Sequence, residues 1–146
     1  MVTLADLGIL REVSQHGERI TVTITPTYSG CPAMREISHD LRYQLLQAGY
    51  PDVVVRTSLA PAWSSDWITA QGRDKLAAAG IAPPNAAGSR ASGPVPLTLT
   101  APVRVVCCPR CGATDTQQTA AFSATACKAL YRCGSCAEPF EYVKEI

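Results

Sequence analysis

The sequence predicts an α+β domain of order ββαβα, a small mixed sheet with helices on one face, followed by a linker and a small β-rich zinc ribbon. Three observations carry this. In residues 19–25, after Arg19, apolar and hydroxyl side chains alternate strictly. Residues 33–48 place apolar side chains at helical spacing. Two C-x-x-C pairs, Cys108–Cys111 and Cys133–Cys136, lie close together near the end of the chain, separated by 21 residues.

The elements follow in order. Ile9 to Ser14 reads as a short strand and Gln15 to Glu18 as a turn. In Arg19 to Thr25, Ile20, Val22 and Ile24 share one face and three threonines the other, which is the pattern of a half-buried strand. The two strands form a hairpin. After the loop Pro26 to Pro32, Met34, Ile37, Leu41 and Leu45 fall on one face of a helix over Ala33–Ala48. Pro32 suits its first turn and Gly49 its end. Asp52 to Leu59, rich in valine, is a third strand. Ser65 to Ala79 reads as one second helix, with Asp66 in its first turn and Gly80 past its end. Trp63 and Trp67 are expected as core anchors between strand and helix, with a partner-facing role for one of them as the alternative.

Residues 83–96 are proline, glycine and small residues with almost nothing to bury, so they read as a linker. The expected domains are 1–82 for the α+β fold and 97–146 for the cysteine module. With 146 residues and a formal charge of +1, the chain has room for one domain plus a small module. Basic residues are scattered, and Arg104, Arg110, Lys128, Arg132 and Lys144 are offset by Asp115, Glu138, Glu141 and Glu145, which argues against nucleic acid. No apolar run is long enough to cross a membrane. No charged-then-apolar segment opens the sequence, so a soluble, cytoplasmic protein is expected.

The module after the linker is too short and too poor in large apolar side chains to fold on burial alone. One metal ion held by Cys108, Cys111, Cys133 and Cys136 meets that need, because metal binding energy becomes folding energy. Gly112 and Gly134 are expected to supply the positive φ angles of the two knuckles. Two disulfides are the rival pairing, disfavoured by spacing and compartment. A redox C-x-x-C needs only one pair, at a helix start. Iron could take the place of zinc in an all-sulfur site. Cys107, beside a ligand, should point to the opposite face and pack. Cys127 reads as a small buried residue rather than a fifth ligand. His16 and His39 read as solvated.

Cys31 follows Gly30 and precedes the first helix. Unpaired N–H groups and the helix dipole there favour a thiolate. Two readings stand open: a metal-binding or cluster-handling thiol on a loop, or a buried cysteine at a helix start.

Three stretches carry a resemblance: Asp6 to Val13, Thr25 to Pro32, and Pro61 to Trp67. They resemble the metal-sulfur cluster assembly domain of the SufT type. With the ribbon, including Phe122 to Cys133 and Glu138 to Tyr142, the chain resembles the PaaD family, accessory proteins of the multicomponent phenylacetyl-CoA epoxidase of aerobic phenylacetate degradation. The resemblance implies an accessory role and no turnover of its own. It would assist assembly of the iron-sulfur cluster of the reductase or the di-iron centre of the oxygenase, with those proteins as partners. Cys31 matches the family's reactive cysteine and Asp6 the aspartate of its Asp-Leu-Gly motif; both are candidates for handling a transient cluster or iron. Cys108, Cys111, Cys133 and Cys136 match the ligands of a structural zinc. The family's N-terminal helix and Asp-Pro-Glu-Ile-Pro segment have no counterpart before Asp6, and that helix would cover one side of the sheet. A structural or docking subunit of the epoxidase is the alternative, and a nucleic-acid-binding ribbon a weaker one. A catalytic subunit is disfavoured, because two histidines cannot furnish a di-iron carboxylate site and no Gly-rich nucleotide fingerprint is present.

Overall fold

The computed structural model describes residues 1–85 and 105–146. Most of the expected linker, and the expected start of the ribbon at residue 97, fall outside them. The chain forms two compact units, Met1–Lys75 with Ile146, and Leu76–Glu145.

The first unit is built on a three-stranded mixed sheet of order β1-β2-β3, with β1 at Leu10–His16, β2 at Arg19–Ile24 and β3 at Asp52–Thr57. β1 and β2 are antiparallel across the turn at Gly17, whose φ of 61° suits glycine, and β2 and β3 are parallel. A parallel pair needs a crossover, and α1 at Ala33–Gln47 provides it. Ile20, Val22 and Ile24 are buried with Ile9, and the helix lays Met34, Ile37, Leu41 and Leu45 on that cluster, as the two periodicities require. α1 ends in a Schellman motif. Gly49, at φ 95°, donates its N–H to Leu46, and Tyr50 donates to Leu45.

The expected second helix, Ser65–Ala79, is two elements. A 3₁₀ turn at Ser65–Trp67 is followed by an extended Ile68, and α2 runs over Ala70–Ala78. Two capping residues impose the break. The Ser64 hydroxyl accepts the Asp66 N–H, and the Thr69 hydroxyl accepts the Gly72 N–H at 2.9 Å. The Thr69 N–H turns away to the Asp6 carbonyl at 2.9 Å.

The second unit holds a four-stranded sheet of order β4-β7-β6-β5: β4 at Ile81–Ala82, β5 at Thr116–Ala120, β6 at Lys128–Cys133 and β7 at Pro139–Val143. β4 runs parallel to β7 and the other pairs are antiparallel. Residues 81–82, expected at the end of the first domain, are thus an edge strand of the ribbon sheet, and the second unit starts upstream of the expected boundary. Its core is Val106, Cys108, Ala129, Tyr131, Cys133, Phe140 and Tyr142, with Ala82 from β4. Tyr131 stacks on Phe140 at 5.8 Å and meets Tyr142 edge-on at 5.5 Å, a compact aromatic centre in a small module.

Candidate metal centre and the Cys31 loop

Two knuckles bring the four ribbon sulfurs together. Cys108 ends the alternating stretch Val105–Cys108, in which Val106 and Cys108 are buried and Val105 and Cys107 are exposed. The chain then turns back, with the Cys108 N–H donating to the Ala113 carbonyl and the Gly112 N–H to the Cys108 carbonyl, both at 2.9 Å. β6 delivers Cys133, and the tight turn into β7 delivers Cys136. The two knuckles match in conformation: the residue after each second cysteine has positive φ, Gly112 at 74° and Ala137 at 62°.

Gly134 therefore plays another part than the positive-φ one expected of it. A Cβ there would lie 2.1 Å from an Asp115 carboxylate oxygen, so any larger residue would make the Asp115 carboxylate shift. Positive φ at an alanine carries a cost of about 1 kcal/mol. The turn geometry imposes it here at Ala137.

The Cys108 and Cys136 sulfurs lie 3.8 Å apart, the Cys111 and Cys133 sulfurs 3.5 Å, and all four within 4.8 Å of one another. Tetrahedral bonds of about 2.3 Å place sulfurs about 3.8 Å apart, so the set fits one ion. The sulfurs are too far apart for disulfides, whose S–S bond is about 2.05 Å. Cys108 and Cys133 are buried, while Cys111 and Cys136 face outward.

Metal-free, the thiols are tuned in opposite directions. The Cys136 and Ser135 N–H groups favour a Cys133 thiolate against burial and bring its pKa to about 7. At Cys111 the Ala113 N–H acts downward, but the Cys133 and Cys136 sulfurs together with burial outweigh it, and the pKa rises to about 12. Cys136 is also raised: burial and the Cys133 and Cys108 sulfurs overcome the Glu138 N–H. Four crowded sulfurs that cannot all ionise together are a group completed by a cation.

The remaining cysteines stand apart from this set. Cys107 lies on the opposite side from Cys108, as expected, but it is exposed and not packed, because nothing among the described residues covers that side. Cys127 is half-buried, with its sulfur 3.2 Å from the Thr125 hydroxyl. His16 and His39 are exposed.

Cys31 is half-buried in a turn, its N–H donating to the Tyr28 carbonyl at 3.1 Å and its carbonyl accepting from Met34 at 3.3 Å. Pro32 occupies the N-cap of α1, and no side chain caps that end. Among the described residues Cys31 joins no group of three or more metal-ligating side chains.

Asp6 is buried at 6% exposure. Its Oδ2 accepts from Lys75 Nζ at 2.7 Å, from the Thr3 hydroxyl at 2.8 Å and from the Thr3 N–H at 2.9 Å. The Lys75 bond, then the Thr3 bonds, hold its pKa at about 2. The surrounding backbone is equally committed. A Cβ on Gly72 would lie 2.5 Å from the Asp6 carbonyl oxygen, and one on Gly8, at φ 66°, 2.5 Å from the Trp67 Cβ. The indole of Trp63, buried, donates to the Leu7 carbonyl at 2.9 Å, and the Arg11 guanidinium lies 3.6 Å over the Trp67 ring. Asp6-Leu7-Gly8 and the tryptophan segment are thus two halves of one packed joint.

The fold and the sulfur site define a class: a small α+β domain joined to a four-cysteine ribbon. Residues 2–55 match the family described as iron-sulfur cluster assembly protein, and residues 92–144 that described as the PaaD zinc beta ribbon domain. A protein of Escherichia coli strain K12, named as a putative subunit of 1,2-phenylacetyl-CoA epoxidase, is 42% identical over 144 residues, covering 99% of this chain and 82% of that protein. The chain belongs to the PaaD family. A crystal structure of a domain of unknown function, DUF59, from Bacillus anthracis aligns with a TM-score of 0.46 at 24% identity, over 51% of this chain and 74% of that one. No helix among the described residues is long and apolar enough to cross a membrane.

Proposed function

We propose that this protein is a cytoplasmic maturation factor of the phenylacetyl-CoA epoxidase system and performs no oxygenation itself. One observation carries the reading. The chain joins an assembly-type domain bearing a free, half-exposed Cys31 to a ribbon whose four sulfurs are already mutually engaged. In this reading Cys31 is the exchangeable ligand for iron or a transient iron-sulfur cluster, which is cargo. Asp6 supports it by fixing the Asp-Leu-Gly segment, since its Oδ2 is occupied by Thr3 and Lys75. Cys108, Cys111, Cys133 and Cys136 hold a structural zinc. Bound there, zinc supplies charge neutralisation and a cross-link that folds the module. A closed four-sulfur site leaves no open position for substrate, so the ribbon serves structure or docking.

Partners are the reductase or oxygenase components. The decisive experiment deletes the protein and then restores it. Cells without it should make the other components with under-filled iron or iron-sulfur sites and little epoxidase activity. Epoxidase matured in normal cells should stay active after the protein is removed. A stoichiometric requirement at each turnover by fully metallated components would overturn the reading in favour of a structural subunit. Metal and acid-labile sulfide analysis of protein purified without oxygen tests the ribbon, with one zinc and no sulfide at those four cysteines expected.

A further inference from the structure

The loop that leads to Cys31 also walls a pocket of about 260 Å³ in the first unit. Pro26, Tyr28, Leu59, Ala62 and Trp63 make it mostly apolar, and the Trp63 ring is fixed by its bond to the Leu7 carbonyl. Thr25, Thr27 and Ser29 bring hydroxyl side chains to this lining, and of the three only Thr25 is buried. Thr25 is 2% exposed, and its N–H is used on the Ile9 carbonyl at 2.8 Å. Among the described residues its hydroxyl has no hydrogen-bond partner. No side-chain polar atom among them is sealed away without a partner, so this hydroxyl keeps some contact with solvent, and Thr25 lines the pocket. A hydroxyl in that position is free to bond one polar atom of whatever enters.

We propose that this pocket receives the side chain of a tyrosine from a protein component of the epoxidase system, with its phenol hydroxyl bonded to Thr25. The proposal rests on the maturation reading and names the chemistry by which the client is held. The volume lies below the range of about 300–1,000 Å³ usual for free organic ligands and suits one side chain. Walls of tryptophan, tyrosine, leucine and proline favour a flat aromatic ring. A phenylalanine would cover the Thr25 hydroxyl and leave it unbonded, whereas a phenol satisfies it. Ser29, also in the lining, precedes Cys31 by two residues, so their Cα atoms are at most about 7.6 Å apart. A tyrosine seated here brings the client's neighbouring backbone within reach of the thiol.

The test has two arms, both on the full chain. First, p-cresol and toluene are titrated while heteronuclear NMR follows Thr25, Leu59, Ala62 and Trp63. p-Cresol should give saturable shifts at these residues, with toluene about tenfold weaker, the difference one hydrogen bond makes. Thr25→Val should erase that preference while the apolar contact remains. Absence of saturable shifts, or equal affinity of the two probes for the natural chain, overturns the proposal. Second, saturating p-cresol should displace a purified epoxidase component from the protein, and Ala62→Trp, which fills the pocket, should weaken that complex likewise. If p-cresol binds but displaces no component, the protein-docking proposal is overturned and the pocket belongs to a free phenol. None of these readouts requires metal transfer, so the maturation reading can fail or stand separately.

Discussion

In the second unit four sulfurs lie within 4.8 Å of one another, two of them buried among aromatic side chains. In the first, Cys31 lies half-exposed at the start of a helix that no side chain caps, in no metal-ligand group among the described residues. The ribbon's backbone is organised around its sulfurs: the Cys136 N–H points at the Cys133 sulfur at 3.5 Å, and each knuckle bends to positive φ after its second cysteine. The first unit is organised around something else, an apolar cluster between sheet and helix and a joint between Asp6, Gly8, Trp63 and Trp67. A sulfur on which a fold depends cannot exchange its partner without unfolding. A sulfur outside the packing can. In the proposed reading this comparison divides structural from exchangeable chemistry by what each cysteine holds up.

The largest test of this division removes a ribbon ligand. Cys133→Ser should unfold the second unit, since metal contributes roughly 10–16 kcal/mol to folding in small zinc modules. NMR should show its β-sheet signals collapsing while those of β1, β2 and α1 persist, and a strong chelator should do the same to the natural chain. Survival of the ribbon sheet without metal would break the comparison at once. Cys31→Ser is the converse. Thermal unfolding should move little, by less than about 0.5 kcal/mol, while support of the client enzyme is lost. A variant that supports the client normally would leave Cys31 as a helix-start residue and nothing more.

Smaller effects sharpen the account of each unit. Gly8→Ala should destabilise the first unit by about 3 kcal/mol in denaturant titration. It adds a Cβ 2.5 Å from that of Trp67 at a φ of 66° that alanine tolerates poorly. Ala137→Gly should instead stabilise the metal-bound ribbon by about 1 kcal/mol, relieving its φ of 62°. The smallest effect is an acid limb. Asp6 falls from its ordinary 3.8 to about 2 in the folded chain, so its contribution is complete above about pH 4 and fades as pH drops through about 2. Glu141 is lowered too: burial opposes the shift, but the bonds from Lys128 and Ser123 outweigh it, so it adds to loss in acid in the same sense. Asp6→Asn should flatten that limb for the first unit, as followed by circular dichroism between pH 5 and about 1.5.

Much of this was legible in the residues. Alternation in 19–25 and the apolar spacing of α1 announced the buried faces, because one side of each element must leave water. The C-x-x-C spacing announced the sulfur set, because a knuckle is local chain geometry. What escaped was set by partners distant in sequence. Thr69 ends one helical turn and starts another because Asp6, 63 positions earlier, accepts its N–H. Gly134 lets the Asp115 carboxylate lie against it, and a knuckle glycine reads the same whether it serves space or φ. Ala137, lacking the glycine signature, concealed its positive φ, although symmetry with Gly112 could have pointed to it. Thr25 looked like one more outward threonine of an alternating strand, and only the fold buries it in the lining of a pocket.

β4 has a consequence for how this protein can be taken apart. The ribbon looks like a cassette that begins after the proline-rich stretch and could be moved to another chain. Yet Ile81 and Ala82 pair with Glu141 and Tyr142, Ala82 is 1% exposed in the aromatic core, and the Asn85 side chain donates to the Val105 carbonyl at 3.1 Å. A transplant cut at residue 97 would leave the edge of β7 bare and a hole beside Tyr142. Residues from both sides of the proline-rich stretch are stitched into one sheet, so recombination that keeps the ribbon whole must carry the chain from β4 onward.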